Sequence, residues 1–231
     1  MLELKDIEAY YGASRVLQGI NLTVGDGEFV SVLGRNGVGK TTLIRTILGL
    51  MDKVRGSIRL DGKEIGRLKT HQRATAGIGY VPQGRGILPK LTVRENLTIG
   101  TFARRSGSGE IAERVFDLFP ALKDLLDRQG GNLSGGQQQQ LAIARTLLSE
   151  PKIILLDEPT EGIQPNIVEQ IEQVLIDLNR RDGKTVVLVE HNVAFARRAS
   201  NHFVIVDRGS IAAQGSIGSL TDQIIHQHLA L

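Results

Sequence analysis

Phe29-Val30-Ser31-Val32-Leu33-Gly34-Arg35-Asn36-Gly37-Val38-Gly39-Lys40-Thr41-Thr42 decides how the rest of the chain is read. The first five residues have the apolar, β-branched character of a buried strand. They run straight into a glycine-rich loop, and residues 41–50 after it have the pattern of an apolar helix. The octet from Gly34 to Thr41 has the spacing G-x-x-x-x-G-K-[ST]. Glycines at these places let backbone N–H groups turn inward and ring a phosphate, and the following helix aims its positive end at the same anion. Gly34, Arg35, Asn36, Gly37, Val38 and Gly39 enter the candidate site as the loop itself, acting more through backbone than side chain. Lys40 supplies a mobile point charge for terminal phosphates, and the Thr41 hydroxyl is a hard oxygen suited to Mg²⁺. Thr42 sits beside them at the helix start. A glycine turn containing Lys-Thr by chance would not be flanked by a strand and a helix, so the phosphate-binding reading is preferred.

Working outward, Ile153-Ile154-Leu155-Leu156 is a second buried-type strand and ends in Asp157-Glu158. Alone, a strand ending in two acids is often a solvated edge. Beside a phosphate loop, the first carboxylate is the expected Mg²⁺ holder, usually through water. Further strands are predicted at residues 57–60, 78–81, 185–189 and 203–206. Helices are predicted around residues 167–178, which place Ile167, Ile171, Val174 and Leu178 on one face, and around residues 193–199. The first thirty residues read as short strands broken by Tyr11-Gly12 and Gly25-Asp26-Gly27 turns. Residues 84–150 differ: the segments around 95–97, 111–119 and 137–148 carry helical spacing with few strand-like runs. The expectation is an α/β fold of one domain over 1–231. A phosphate-loop core with a mixed or parallel sheet covers about 1–83 and 151–231, with an antiparallel β part at its N-terminal end. A helical subdomain is inserted at about 84–150.

Composition sets limits. The chain has 231 residues, enough for one domain or one domain with a subdomain. Aromatic residues are 4%, so the core must rest on Leu, Ile, Val and Ala. A net charge of +3, spread evenly, is too small to argue for nucleic-acid binding, and no nucleic-acid partner is expected. With no cysteine there is neither a disulfide framework nor a thiolate metal site, which fits a reducing compartment. No apolar stretch reaches the roughly 18 residues needed to span a bilayer. Residues 1–6 have early acids and no long apolar run, unlike a signal peptide. Any membrane role is expected to be peripheral.

Between the loop and the acidic strand end lies Leu133-Ser134-Gly135-Gly136-Gln137. Locally it reads as a helix start, with Ser134 as N-cap and Gln137 completing a capping box. The same geometry presents N–H groups and a positive dipole end to an anion. The pentad, in this order between a phosphate loop and Asp157-Glu158, resembles the signature of the ATP-binding-cassette (ABC) family, and the resemblance covers nearly the whole chain. It implies that the substrate is ATP with Mg²⁺. It also implies that Ser134, Gly135, Gly136 and Gln137 serve the γ-phosphate held by a second, head-to-tail ATPase subunit, either a copy of this chain or a paralogue. Glu158 becomes the residue that polarises the attacking water. Gln83, after a strand and Pro82, resembles the glutamine that senses Mg²⁺ and the attacking water and links core to helical part. Thr41, Gln83 and Asp157 are then the metal set. His191, after strand 185–189, resembles the histidine that contacts the γ-phosphate, although a lone histidine is more often a satisfied surface residue. Tyr11 resembles the aromatic that stacks on adenine, with Tyr10 beside it as a competitor.

One position departs from the family pattern: many members continue Asp-Glu-Pro-Thr with Ser-Ala-Leu-Asp, whereas here Glu161-Gly162-Ile163-Gln164 follows Thr160. Gln164 can hydrogen-bond across an interface but carries no charge. Together with Gln83-Gly84-Arg85-Gly86 and the run after the pentad, this looks like the ATPases of branched-chain amino acid, urea and short-chain amide importers, closest to the urea and amide type. Implied partners are integral-membrane permease subunits and, indirectly, a periplasmic or extracellular binding protein, with the chain at the cytoplasmic face of the membrane. Rival readings are an exporter of lipid or lipopolysaccharide type, and a non-transport ABC ATPase acting on DNA or ribosomes. Members of the second kind usually carry coiled-coil inserts, zinc-binding cysteines or paired cassettes, none of which is seen here.

Overall fold

A computed structural model describes residues 1–103 and 111–229. Part of the predicted helical insertion, residues 104–110, thus lies outside the described residues. The chain opens with an antiparallel pair, β1 (Leu2–Tyr11) and β2 (Ser14–Val24), joined at Gly12, whose φ of 54° suits a tight turn. Next come β3 (Phe29–Leu33), α1 (Lys40–Leu48), β4 (Lys53–Leu60), β5 (Lys63–Glu64), α2 (Thr70–Ala76) and β6 (Ile78–Val81). Then follow α3 (Val93–Thr101), α4 (Arg114–Leu118), α5 (Gly135–Leu147), β7 (Ile153–Asp157), α6 (Pro165–Arg180) and β8 (Thr185–Val189). The chain closes with α7 (Val193–Ala199), β9 (His202–Asp207), β10 (Ser210–Ser216) and α8 (Asp222–His228).

The strands form two sheets, one in the order β2-β1-β4-β5 and one in the order β10-β9-β3-β8-β7-β6. The first is antiparallel. In the second, β6, β7, β8, β3 and β9 run parallel, and β10 folds back antiparallel along the edge. Every residue of β3, β7 and β8 is buried, which is why these strands read as unbroken apolar runs rather than alternating ones.

Alternation nevertheless sorts their side chains between two cores. Val30, Val32, Leu155, Val187 and Val189 pack with Leu43, Ile44 and Ile47 of α1 and with the antiparallel sheet. Phe29, Ile154, Leu156, Val186 and Leu188 pack on the other side with Leu141 and Ile143 of α5, Ile171 and Leu175 of α6, and Phe195 of α7. Val93 and Leu97 of α3 and Val115 and Phe116 of α4 join that second cluster. The described part of the helical stretch therefore shares one core with the sheet. Each such side chain stabilises the fold by about 1.5–3 kcal/mol when fully buried.

Register positions the site. Val32 of β3 lies opposite Val189 of β8, Val189 opposite Asp157 of β7, and Leu156 opposite Val81 of β6. The carboxyl ends of these parallel strands are therefore level, and the loops leaving them meet at one edge of the sheet, where open α/β sheets place ligands.

Candidate functional site

The loop after β3 folds as its glycines require. Gly34 has φ 152°, and a Cβ there would lie 2.4 Å from the Val206 carbonyl oxygen, so only glycine permits this approach. Gly39 caps α1 at φ 114°. Lys40, at the first helical position, is 4% exposed; its Nζ donates to the carbonyl oxygens of Gly34 (2.8 Å) and Arg35 (2.9 Å) and lies 3.9 Å from Glu158 Oε1. Burial pulls its pKa below the ordinary lysine value, against the charges of Glu158, Asp157 and Glu190. The ammonium is thus stored inside the loop on carbonyl dipoles, where an arriving phosphate would be a stronger partner.

Asn36, Gly37, Gly39, Lys40, Thr41 and Thr42 form one wall of a cleft of about 340 Å³, and Gln83, Glu158, Glu161 and His191 form the other. A larger depression, about 690 Å³, lies at the amino-terminal end of β3 between Lys5, Asn21, Glu28 and His202. None of its lining residues opens a helix, so it lacks the helix start that holds a phosphate, and the smaller cleft is the chemical one.

Each strand contributes its end to that cleft. From β7, Asp157 is fully buried and accepts the Thr41 hydroxyl at 3.2 Å on Oδ1, while its Oδ2 has no hydrogen-bond partner. Burial raises its pKa; Glu158 and Glu161 push the same way, and the Thr41 bond and Lys40 oppose. A buried carboxylate oxygen with unused lone pairs beside a threonine hydroxyl suits a hard divalent cation. Glu158 follows in the left-handed region at φ 50°, turning its side chain into the cleft. Its Oε1 is 2.5 Å from His191 Nε2, and its Oε2 accepts Gln83 Nε2 at 3.2 Å. Gln83 arrives from β6 through Pro82.

The switch between β8 and α7 is pinned by Glu190. This side chain is 4% exposed and accepts the backbone N–H groups of His191 (2.8 Å) and Asn192 (3.1 Å). Its other oxygen takes the Thr160 hydroxyl. The reading of the sequence passed over Glu190, Thr160 and the cleft-lining role of Glu161. Glu190 did carry a signal, an acid ending a buried strand, the same signal that flagged Asp157.

Gly34, Arg35, Val38 and Asp157 adjoin the cleft wall rather than line it, and two further predicted groups lie away from it. Ser134 caps α5 by the expected box: its Oγ accepts Gln137 N–H at 3.3 Å and its N–H donates to Gln137 Oε1 at 3.0 Å. Gly135 and Gly136 are packed closely, a Cβ on Gly136 falling 2.6 Å from Ile167 Cγ2. The Ser134 end of α5 is exposed and does not line the cleft of its own chain. Tyr11 is 38% exposed, with the Arg45 guanidinium of α1 5.6 Å from its ring centre. Tyr10, on the opposite face of β1, is engaged by its own sheet: its hydroxyl donates to Glu8 at 2.7 Å, and Lys53 lies 5.0 Å from its ring centre. Of the two, Tyr11 is the one brought to the helix that carries the phosphate loop.

Comparison with known proteins agrees with this geometry. The sequence profile described as "ABC transporter" matches residues 17–161, which hold the loop, the capped helix and the acidic strand end. The chain is 39% identical over 91% of its length to the high-affinity branched-chain amino acid transport ATP-binding protein BraG of Pseudomonas aeruginosa, covering 91% of that protein. It is 36% identical over 94% of its length to the lipopolysaccharide export system ATP-binding protein LptB of Haemophilus influenzae, covering 90% of it. It is also 36% identical over 94% of its length to the spermidine/putrescine import ATP-binding protein PotA of Haemophilus influenzae, but spans only 58% of that protein. Among solved structures, the dimeric post-hydrolysis ATP-binding cassette MJ0796 bound to ADP and Pi superposes with a TM-score of 0.84 at 31% identity, covering 94% of this chain and 99% of that one. The chain belongs to the ABC transporter family, as an ATP-binding and ATP-hydrolysing protein.

Proposed function

We propose that this protein is the ATPase subunit of an importer, bound peripherally at the cytoplasmic face of a membrane to integral permease subunits, and that its cargo is a branched-chain amino acid, urea or a small amide. The observation that carries the mechanism is the convergence of Lys40, Gln83, Glu158 and His191 on one cleft at the level strand ends, with buried Asp157 behind it bonded to Thr41 of the cleft wall. The loop amides and Lys40 would bind the phosphates, and Tyr11 would stack on the adenine. Thr41, Asp157 and Gln83 would hold Mg²⁺, which supplies charge neutralisation for the β- and γ-phosphates. Glu158 would orient and polarise the attacking water, and His191 would contact the γ-phosphate. Bond breaking then depends mainly on placement and preorganised charge.

The exposed Ser134 cap, outside its own cleft, supports a head-to-tail pair in which the signature of the second subunit closes over the γ-phosphate. The MJ0796 cassette is dimeric, which supports a pair of ATPase subunits. Closure would exclude water, hydrolysis would reopen the pair, and the helical part at about 84–150 would pass the motion to the permease. Among the described residues no helix is long and apolar enough to cross a membrane. The likeness to BraG favours amino-acid import; the likeness to LptB is the observation that keeps export as a second reading.

The test is to purify a tagged Glu158→Gln form from solubilised membranes in Mg-ATP and identify its partners by mass spectrometry. Recovery of two multi-span permease subunits, with or without a second ATPase, is expected. Recovery of an exporter's membrane subunits would reverse the direction, and ribosomes or nucleic acid without membrane protein would overturn transport.

A further inference from the structure

Resting on the reading of the cleft above, we infer that Glu161 is a positioning residue for ATP hydrolysis, a second carboxylate that holds Gln83 in place while Glu158 works on the water. The turn after β7 brings it there. Glu158 sits at φ 50° and the Glu161 N–H donates to the Glu158 carbonyl oxygen at 3.3 Å, so the two carboxylates leave the same tight turn and both line the cleft. Gln83 Nε2 bridges them, 2.9 Å from Glu161 Oε2 and 3.2 Å from Glu158 Oε2.

A primary amide has two N–H bonds, and both are spent here. That fixes which way the amide faces: reversed, its carbonyl oxygen would confront two carboxylates. The carbonyl oxygen is therefore directed away from the acids, available as a hard oxygen ligand. Glu158 is engaged on both oxygens, by His191 at 2.5 Å on one and by Gln83 on the other. Each carboxylate oxygen keeps a further lone pair, so Glu158 can accept a water while the His191 and Gln83 contacts stand. The 3.2 Å contact to Gln83 is the longer of its two, and the 2.9 Å bond to Glu161 is what holds the glutamine's orientation if that contact opens. Glu161 stands at a position where many family members carry serine.

The test is ATP hydrolysis by the purified protein in Mg²⁺, with melting temperature recorded for each form. Glu161→Ala is expected to lower kcat about five-fold with little change in KM for ATP, the scale of one exposed charge-assisted bond. Glu161→Gln, whose side-chain oxygen can still accept the Gln83 N–H, is expected to retain most of the rate. In a Gln83→Ala background, followed in single turnover if steady state is too slow, Glu161→Ala is expected to add nothing further. A wild-type rate in Glu161→Ala, an equal loss in Glu161→Gln and Glu161→Ala, or multiplying losses in the double variant would each overturn the positioning role. Glu158→Gln in the same series separates the failures: wild-type turnover there would sink the reading of the cleft whatever Glu161 does.

Discussion

Replacing Asp157 with asparagine should make the nucleotide-free protein more stable and the nucleotide-bound protein less so. Asp157 is fully buried, its single hydrogen bond is the 3.2 Å contact from Thr41, and Oδ2 has none. Its pKa is raised, so burial acts against the ionised form. Asparagine keeps the shape and the acceptor for Thr41 but removes the charge. An unpaired polar atom at the Oδ2 position costs about 1–3 kcal/mol in either form, so the difference between them is the cost of burying the charge. Lys40 loses one of the carboxylates that favour its charged form, which offsets part of the gain. The expected net is about 1 kcal/mol, or about 2–4 °C in melting temperature for a chain of this size. The cost in the wild type is fully present above the raised folded pKa and vanishes below the unfolded value near 3.9, where both states hold the proton. The gap between variant and wild type should therefore be widest at neutral pH and close as pH falls towards 4. With Mg-ATP at about 100 times its Kd the wild type gains about 2.7 kcal/mol, whereas the variant should lose most of that gain, as should the wild type in excess chelator. Thermal melts with and without nucleotide read both effects. A variant that melts below the wild type at neutral pH without nucleotide, or that keeps the full Mg-ATP shift, would refute the assignment of Asp157 as a carboxylate kept buried for a cation.

Tyr11→Ala should weaken ATP binding by about 1–3 kcal/mol, the scale of one base–aromatic stack, and Tyr10→Ala should leave it near wild type; equal losses in a titration with a fluorescent nucleotide would reject the choice of Tyr11. Gly136→Ala should cost about 1–3 kcal/mol of stability by overpacking against Ile167, and adding Ile167→Ala should recover part of it; a neutral single variant in a denaturant melt would show that α5 can shift freely. Glu190→Ala strips the acceptor from two backbone N–H groups and the Thr160 hydroxyl, so a loss of about 2–4 kcal/mol in stability is expected, with a fall in turnover as His191 loses its anchor.

What could be read in the sequence was what local stereochemistry dictates. The glycines of residues 34–39, the Ser134–Gln137 box and the buried runs of β3, β7 and β8 are each fixed by near neighbours. Helix ends were less legible. The helix expected over 41–50 stops at Leu48, where Gly49 turns left-handed at φ 74°. The helix expected over 111–119 is cut to Arg114–Leu118, because Pro120 keeps Phe119 out of helical geometry (φ −134°, ψ 70°), and the chain continues as a 3-10 turn, Pro120–Leu125.

The helix α2 gave no apolar stripe to find. Its buried residue is Arg73, whose guanidinium donates to the carbonyl oxygens of Thr46 and Ile47 at the end of α1 and to Leu68 and Gly66. Strand order was out of reach for a different reason. That β3 lies between β8 and β9, more than 150 residues away in sequence, depends on non-local pairing. Glu190 and Glu161 follow from that order, since only the assembled sheet brings Thr160 to Glu190 and Gln83 to Glu161.

Phosphate release by the purified protein, compared between wild type and Glu158→Gln with ATP binding measured in parallel, tests the central claim most directly. The account predicts that the variant binds Mg-ATP as tightly as the wild type and turns it over about 10²–10⁴ times more slowly, the usual contribution of a positioned base. A variant that hydrolyses ATP at the wild-type rate would contradict it.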